Sequence, residues 1–223
     1  MFLDIHTHSL SSDANIKKVF NLDITASTLG EDLEHFFGGN ESVSVGIHPW
    51  SVSEEMFFEQ IEILEFLAAD SRVKAIGEIG LDKIKGPDLK LQEEVFLKQI
   101  RIAESVGKPI IVHCVKSFNE LIAIKKLVRP KAPMIIHGFN RKADLAIELA
   151  AKGFFLSFGI ALIESELIKT ALKSIPISQV FFETDDEKGL TVEEVYNVAS
   201  VVLNIEMEEL KDKIYQNYLE LYL

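Results

Sequence analysis

Two histidines one residue apart, His6 and His8, stand where the apolar run Phe2-Leu3-Asp4-Ile5 ends. On a strand, alternation points both imidazoles to the same side, where the pair can grip one metal ion. His48 closes V-S-V-G-I-H, His113 closes P-I-I-V-H and His137 closes M-I-I-H, while Asp185 follows V-F-F-E-T. Each is a ligand-type residue at the end of an apolar run. Glu78 lies within V-K-A-I-G-E-I-G-L-D, flanked by Gly77 and Gly80, which let other groups approach the backbone closely. A carboxylate buried there needs a cation to face. One histidine at a strand end is ordinarily a hydrogen-bonded core residue; five of them together with two carboxylates point to a metal site. Mixed nitrogen and oxygen donors suit zinc, manganese, iron or cobalt, with magnesium possible where carboxylates dominate. His6, His8, Glu78, His113, His137 and Asp185 exceed what one ion takes with a position left open for water, so two divalent ions are expected. Glu78 would bridge them, and Asp185 would bind one ion and act as general base on a water that the ions acidify.

The elements that must position these residues follow from the apolar periodicity. Eight strands are expected near residues 2–6, 17–24, 42–47, 73–78, 109–113, 133–137, 153–157 and 178–183, with helical patterns between most of them, as in parallel βα units. Ser51 and Glu54 match a capping box for a helix burying Phe57, Ile61, Leu64 and Ala68. The next helix starts near Pro87, buries Phe96, Ile100 and Ala103, and ends at Gly107. Others span about Ser117 to Val128 and Arg141 to Gly153. Thr191 and Glu194 match a further capping box, and Met207, Leu210, Ile214 and Leu221 face inward on the last helix. Only His8 to Ile16 separates the first two strands, too little for a crossover helix. The fold expected is an α/β, TIM-type (β/α)8 barrel lacking its first peripheral helix, as a single domain over 1–223.

Composition bounds the function. The 223 residues are 48% hydrophobic and contain no apolar run long enough to span a membrane. Met1 leads straight into a patterned strand, so no secretory signal is expected, and a single cysteine fits a reducing, cytoplasmic setting. A net charge of -12 disfavours a broad phosphate-tracking surface, leaving local contacts or metal ions to hold any nucleic acid. No obligate protein partner is evident.

H-T-H at the first strand, G-I-H-P-W, G-E-I-G-L-D, I-V-H, I-H-G-F and E-T-D, in this order and spacing across nearly the whole chain, resemble the TatD-type deoxyribonuclease family. The resemblance implies a metallohydrolase barrel with His6, His8, Glu78 and Asp185 around one ion and Glu78, His113 and His137 around the other. It implies metal-dependent hydrolysis of phosphodiesters in DNA, often from the 3′ end, with a single strand or a 3′ end as the substrate. Gln92, Phe96, Gln99 and Asn217 also match the family and read as packing residues. The chain departs from the pattern where Cys114, Val115 and Lys116 follow His113 without the usual arginine. Lys116 can still hold a phosphate, as a point charge. A proline- and aromatic-containing loop after E-T-D is absent, and Lys83 replaces an aromatic residue after G-L-D.

Other readings compete. The first strand alone also resembles the polymerase-and-histidinol-phosphatase superfamily, although a later T-D-H motif is missing. The same centre could hydrolyse a small phosphoester, an amide or a lactone, and a non-catalytic metal-binding scaffold is the remaining alternative. Cys114 reads as a small buried residue, Trp50 as a cap or a stacking residue, and His35 as a surface or packing residue. Asp186 and Glu187 read as solvated, and His48 as a pocket residue near the scissile group more than a direct ligand.

Overall fold

The computed structural model describes residues 1–9, 13–28, 37 and 42–222. His35 and Phe36 lie outside them. The strands are β1 (Phe2–Thr7), β2 (Ile16–Asp23), β3 (Val43–Gly46), β4 (Val73–Asp82), β5 (Ile110–Val115), β6 (Met134–Ile136), β7 (Phe154–Phe158) and β8 (Val180–Phe182), hydrogen-bonded in sequence order in one sheet. The registered pairs β1–β2, β3–β4, β4–β5 and β7–β8 are all parallel, which is the topology of a (β/α)8 barrel. Described residues between β1 and β2 carry no helix.

Contacts divide the chain into two compact units, residues 1–20 with 135–223 and residues 21–134. In the first, β1 adjoins β8 through a parallel bridge from Thr7 to Asp185. Helices α4 (Ala143–Ala151), α5 (Ile160–Glu164), α6 (Glu166–Lys173), α7 (Val192–Leu203) and α8 (Met207–Tyr222) belong to it. The α5–α6 pair connects β7 to β8, a connection for which no helix was specified, and α6 buries Ile168, Ala171 and Leu172 at helical spacing. Thr191 and Glu194 form the expected reciprocal capping box on α7. Leu210, Ile214 and Leu221 are buried on α8, as expected, together with Asn217 and Tyr218. Tyr196 packs edge-on against Phe2 and Phe182, and its hydroxyl meets both the N–H and the carbonyl of Leu3 at 3.3 Å. That contact fixes α7 on β1.

The second unit holds α1 (Phe57–Ala68), α2 (Leu89–Val106) and α3 (Phe118–Val128). Phe57, Ile61, Leu64 and Ala68 form the buried stripe of α1, yet the helix begins six residues after Ser51, without the expected capping box. Ser51 instead donates its hydroxyl to Asp23, and Gln60 accepts the Ser53 N–H at 3.1 Å. Asp88, beside Pro87, caps α2 by accepting the Lys90 N–H at 2.8 Å, and Gly107 ends it in the left-handed region. Strand β4 runs four residues past its expected end, through Glu78 to Asp82. Two glycines permit this course. A β-carbon on Gly77 would stand 2.6 Å from that of Ile111, and one on Gly80 would lie 2.0 Å from the His113 carbonyl oxygen.

Candidate metal centre

In the first unit the site is assembled by backbone exchange between β1 and the segment after β8. Asp185 donates its N–H to the His6 carbonyl at 3.0 Å, and His8 donates its own to the Asp185 carbonyl at 3.1 Å. These bonds hold the three residues side by side. The Asp185 carboxylate then lies 3.4 Å from His6 Nε2 and 3.7 Å from His8 Nε2. The two imidazoles meet edge to face, so strand alternation does point both to one side. His6 is fully buried, while the side chains of His8 and Asp185 are 36% and 38% exposed.

His137, from the end of β6, packs against His6 with ring centroids 4.5 Å apart. Its Nδ1 is 3.5 Å from Glu183 Oε1, an atom that also accepts the Gly138 N–H at 2.6 Å. Glu183 was not among the residues expected to act; its sequence signal is the first letter of E-T-D. It is completely buried, and its Oε2 has no hydrogen-bond partner among the described residues. A buried carboxylate oxygen without a donor costs several kcal/mol unless a cation or proton meets it. Beneath these groups Asp4 accepts the Thr184 N–H at 3.0 Å and the Thr184 hydroxyl at 2.7 Å. Burial pushes Asp4 up to about 6 even though those two bonds pull it down.

In the second unit the centre is Glu78. Its N–H is held by Asn21 Oδ1 at 2.8 Å, an oxygen that also accepts from Ser44 at 3.0 Å. Its Oε1 lies 2.6 Å from His113 Nδ1 and 3.2 Å from His48 Nε2. The backbone N–H of Trp50 donates to His48 Nδ1 at 3.2 Å. A neutral imidazole carries one proton, so accepting at Nδ1 places that proton on Nε2, facing Glu78. His48 thereby serves as a donor to the carboxylate. His113 is flanked twice, its Nε2 standing 3.1 Å from Asp82 Oδ2. Asp82 also accepts from Trp50 Nε1 at 2.7 Å and from the Ile84 and Lys85 N–H groups. Burial pushes Asp82 up, but these bonds and that of His113 outweigh it and hold the carboxyl below its usual range. Asp82 gave no separate sequence signal beyond closing G-E-I-G-L-D.

Donor atoms lie within 4.8 Å of one another in His6–His8–Asp185, in His137–Glu183–Asp185 and in His48–Glu78–His113. Imidazole nitrogens and carboxylate oxygens are the donors that intermediate divalent ions take, and the Glu183 oxygen without a donor fits a cation. The residues fit metal. Lys116 stands exposed and left-handed (φ 53°) just past β5, outside these groups, and Cys114 is half-buried and in none of them. Asp186 and Glu187 are exposed.

The model of the TatD-related DNase family matches residues 6–223. A metal-dependent hydrolase of Methanocaldococcus jannaschii, itself uncharacterised, is 29% identical over 97% of this chain and 94% of its own. Another from Buchnera aphidicola is 33% identical over 76% of this chain and 66% of its own. A putative deoxyribonuclease of Danio rerio is 30% identical over 64% of this chain and 56% of its own. Among solved structures, the TatD homologue YJJV of Escherichia coli K12 superposes with a TM-score of 0.81 at 19% identity, covering 99% of this chain and 97% of that one, which shows a common fold. The protein therefore belongs to the TatD-related family of metal-dependent hydrolases and has its TIM-type barrel fold.

Proposed function

We propose that the protein is a phosphodiesterase acting on DNA, with two divalent ions and with Asp185 as the general base. The observation that carries this reading is the grouping of histidine nitrogens with carboxylate oxygens within 4.8 Å, twice in the first unit around Asp185 and once in the second around Glu78, at the ends of parallel strands. One ion in each unit is the simplest count, with zinc, manganese or magnesium as the candidates. When bound, the ions acidify water and neutralise the charge that builds up on a phosphate under attack. His6, His8, Glu78, His113, His137 and Asp185 would hold them.

The chain's own residues divide the remaining work. Asp185 is the carboxylate of its cluster that solvent reaches, whereas Glu183 is sealed, so Asp185 is placed to take the proton of the attacking water. His48, with its proton on Nε2, donates to Glu78 and orients that carboxylate. Lys116 supplies a point charge for the substrate phosphate. The name of the Danio rerio relative supports DNA as substrate.

One observation favours a second reading, a small ester, amide or lactone. A cavity of about 630 Å³ beside His8 and Asp185 is lined by Asp13, Asp186, Glu187 and Glu193 against Lys18 and Lys188, an acidic wall that repels a polyanion.

The test is hydrolysis of a labelled single-stranded oligonucleotide by metal-stripped protein with manganese or magnesium restored. Metal-dependent cleavage is expected, reduced about 100-fold or more in Asp185→Asn with the fold intact by circular dichroism. Ester or lactone turnover without any cleavage of DNA would select the second reading.

A further inference from the structure

Trp50 is the single tryptophan of the chain, and it is 45% exposed beside the Glu78 cluster. Its orientation is fixed by more than packing. Its indole N–H is bound to the buried Asp82 carboxylate at 2.7 Å, and its edge contacts are the rings of His48 and His113 at 4.6 and 5.5 Å. A large aromatic ring held rigid yet half open to solvent offers contact area at little cost in conformational freedom. Lys85 holds its ammonium 3.6 Å from the ring centroid. The cation thus lies over a face of the ring, from which a stacking base would displace it toward the adjoining phosphate. Lys83 and Lys116 follow register partners Asp82 and Val115 on β4 and β5, so the strand ends next to Trp50 carry lysines in a chain of net charge -12. Lys83 is already engaged by Glu120 at 2.6 Å, which leaves Lys85 and Lys116 as the local cations for an anion.

We infer that Trp50 is a stacking platform for a base of a single-stranded nucleic acid, with Lys85 as the cation for the adjoining phosphate. This rests on the phosphodiesterase reading and deepens it. An aromatic face with neighbouring lysines is how single strands are held without reading their sequence, each stacked base contributing about 1–3 kcal/mol. A free aromatic small molecule would use the ring but not the lysines; a duplex, with its bases stacked inside, would use the lysines but not the ring.

A solitary tryptophan reports on itself. With Asp185→Asn protein, a single-stranded oligonucleotide is expected to quench the intrinsic fluorescence saturably, and a chain of the same length built of abasic sugar-phosphate units to quench it little. Trp50→Ala should raise the dissociation constant for a labelled oligonucleotide, read by anisotropy, by about 5- to 150-fold. Trp50→Phe, which keeps a ring but loses the N–H to Asp82, should retain most of the affinity, and Lys85→Gln should weaken oligonucleotide and abasic chain alike. Quenching equal for the two ligands, or Trp50→Phe as weak as Trp50→Ala, would overturn the stacking role while leaving DNA cleavage standing. An absence of both binding and cleavage would instead overturn the phosphodiesterase reading and this inference with it.

Discussion

Gly80 shows how little freedom the centre has at single positions. Its φ of 150° and the 2.0 Å separation between an added β-carbon and the His113 carbonyl leave no room for any side chain. Gly80→Ala must push β4 away from β5 at the level of Glu78 and Asp82. We expect it to lose about 3 kcal/mol or more in denaturant unfolding, together with most metal-dependent activity. Gly107→Ala is the useful comparison, since nothing lies within 4 Å of its added carbon and only the left-handed conformation is strained. It should cost about 1 kcal/mol and leave activity unchanged. Equal losses from the two substitutions would show that backbone strain, not crowding, is what Gly80 relieves.

At the scale of elements, the ligand-bearing strand ends are held by buried amides on a helix that contributes no ligand. Gln99 of α2 accepts the Ile47 N–H at 2.8 Å and donates to the Ile47 carbonyl at 3.0 Å. Gln92 does the same for Asp82, at 2.8 and 3.0 Å. Each glutamine substitutes for a missing neighbouring strand. Gln99→Leu would leave both Ile47 groups unpaired; about 2–4 kcal/mol should be lost in denaturant unfolding. Because Ile47 precedes His48, activity should fall by more than that loss of stability alone explains. Thr191→Ala, which removes one arm of a solvent-exposed capping box, should cost about 1 kcal/mol and nothing in activity. These glutamines were legible in the sequence only as packing residues, since nothing in a one-dimensional pattern says that an amide faces a strand end. The ligand-type histidines were legible because a polar residue closing an apolar run is anomalous in itself. Glu183 closes the apolar run Val180-Phe181-Phe182 but was overshadowed by Asp185 two residues on, and Asp82 was read only as the last letter of G-E-I-G-L-D. Ser51 misled because a capping box describes a local possibility, and a long-range acceptor, Asp23, took its hydroxyl.

At the scale of the molecule, the strand order could be read from the sequence because parallel βα units leave few alternatives, and the likeness to YJJV over 99% of the chain agrees. The extension of β4 could not, because it depends on contacts distant in sequence, whereas α6, with Ile168, Ala171 and Leu172 at helical spacing, was legible and went unread. Stability should also carry a titration of its own. Burial lowers Lys125, on α3, from 10.5 to about 8. Below about pH 8 the lysine is charged in both states and its burial cost is constant. Between there and 10.5 the unfolded chain holds the proton that the native one has released, so stability rises with pH. Partial solvent screening limits the gain to about 1–2 kcal/mol. Unfolding free energies of wild type and Lys125→Gln should therefore diverge across that window in favour of the wild type; parallel curves would refute the assignment.

The two glutamines of α2 have one more consequence. Seven positions apart, they fall on the same side of the helix two turns from each other, and each grips a different strand end. The helix therefore acts as a ruler laid across β3 and β4, its pitch setting how far Ile47 lies from Asp82. Any change that stretched, bent or slid α2 by a fraction of a turn would alter the distance between His48 and the Asp82–His113 pair without touching a single donor atom. Substitutions that impair this protein should for that reason include some on the inward face of a helix that never meets the substrate.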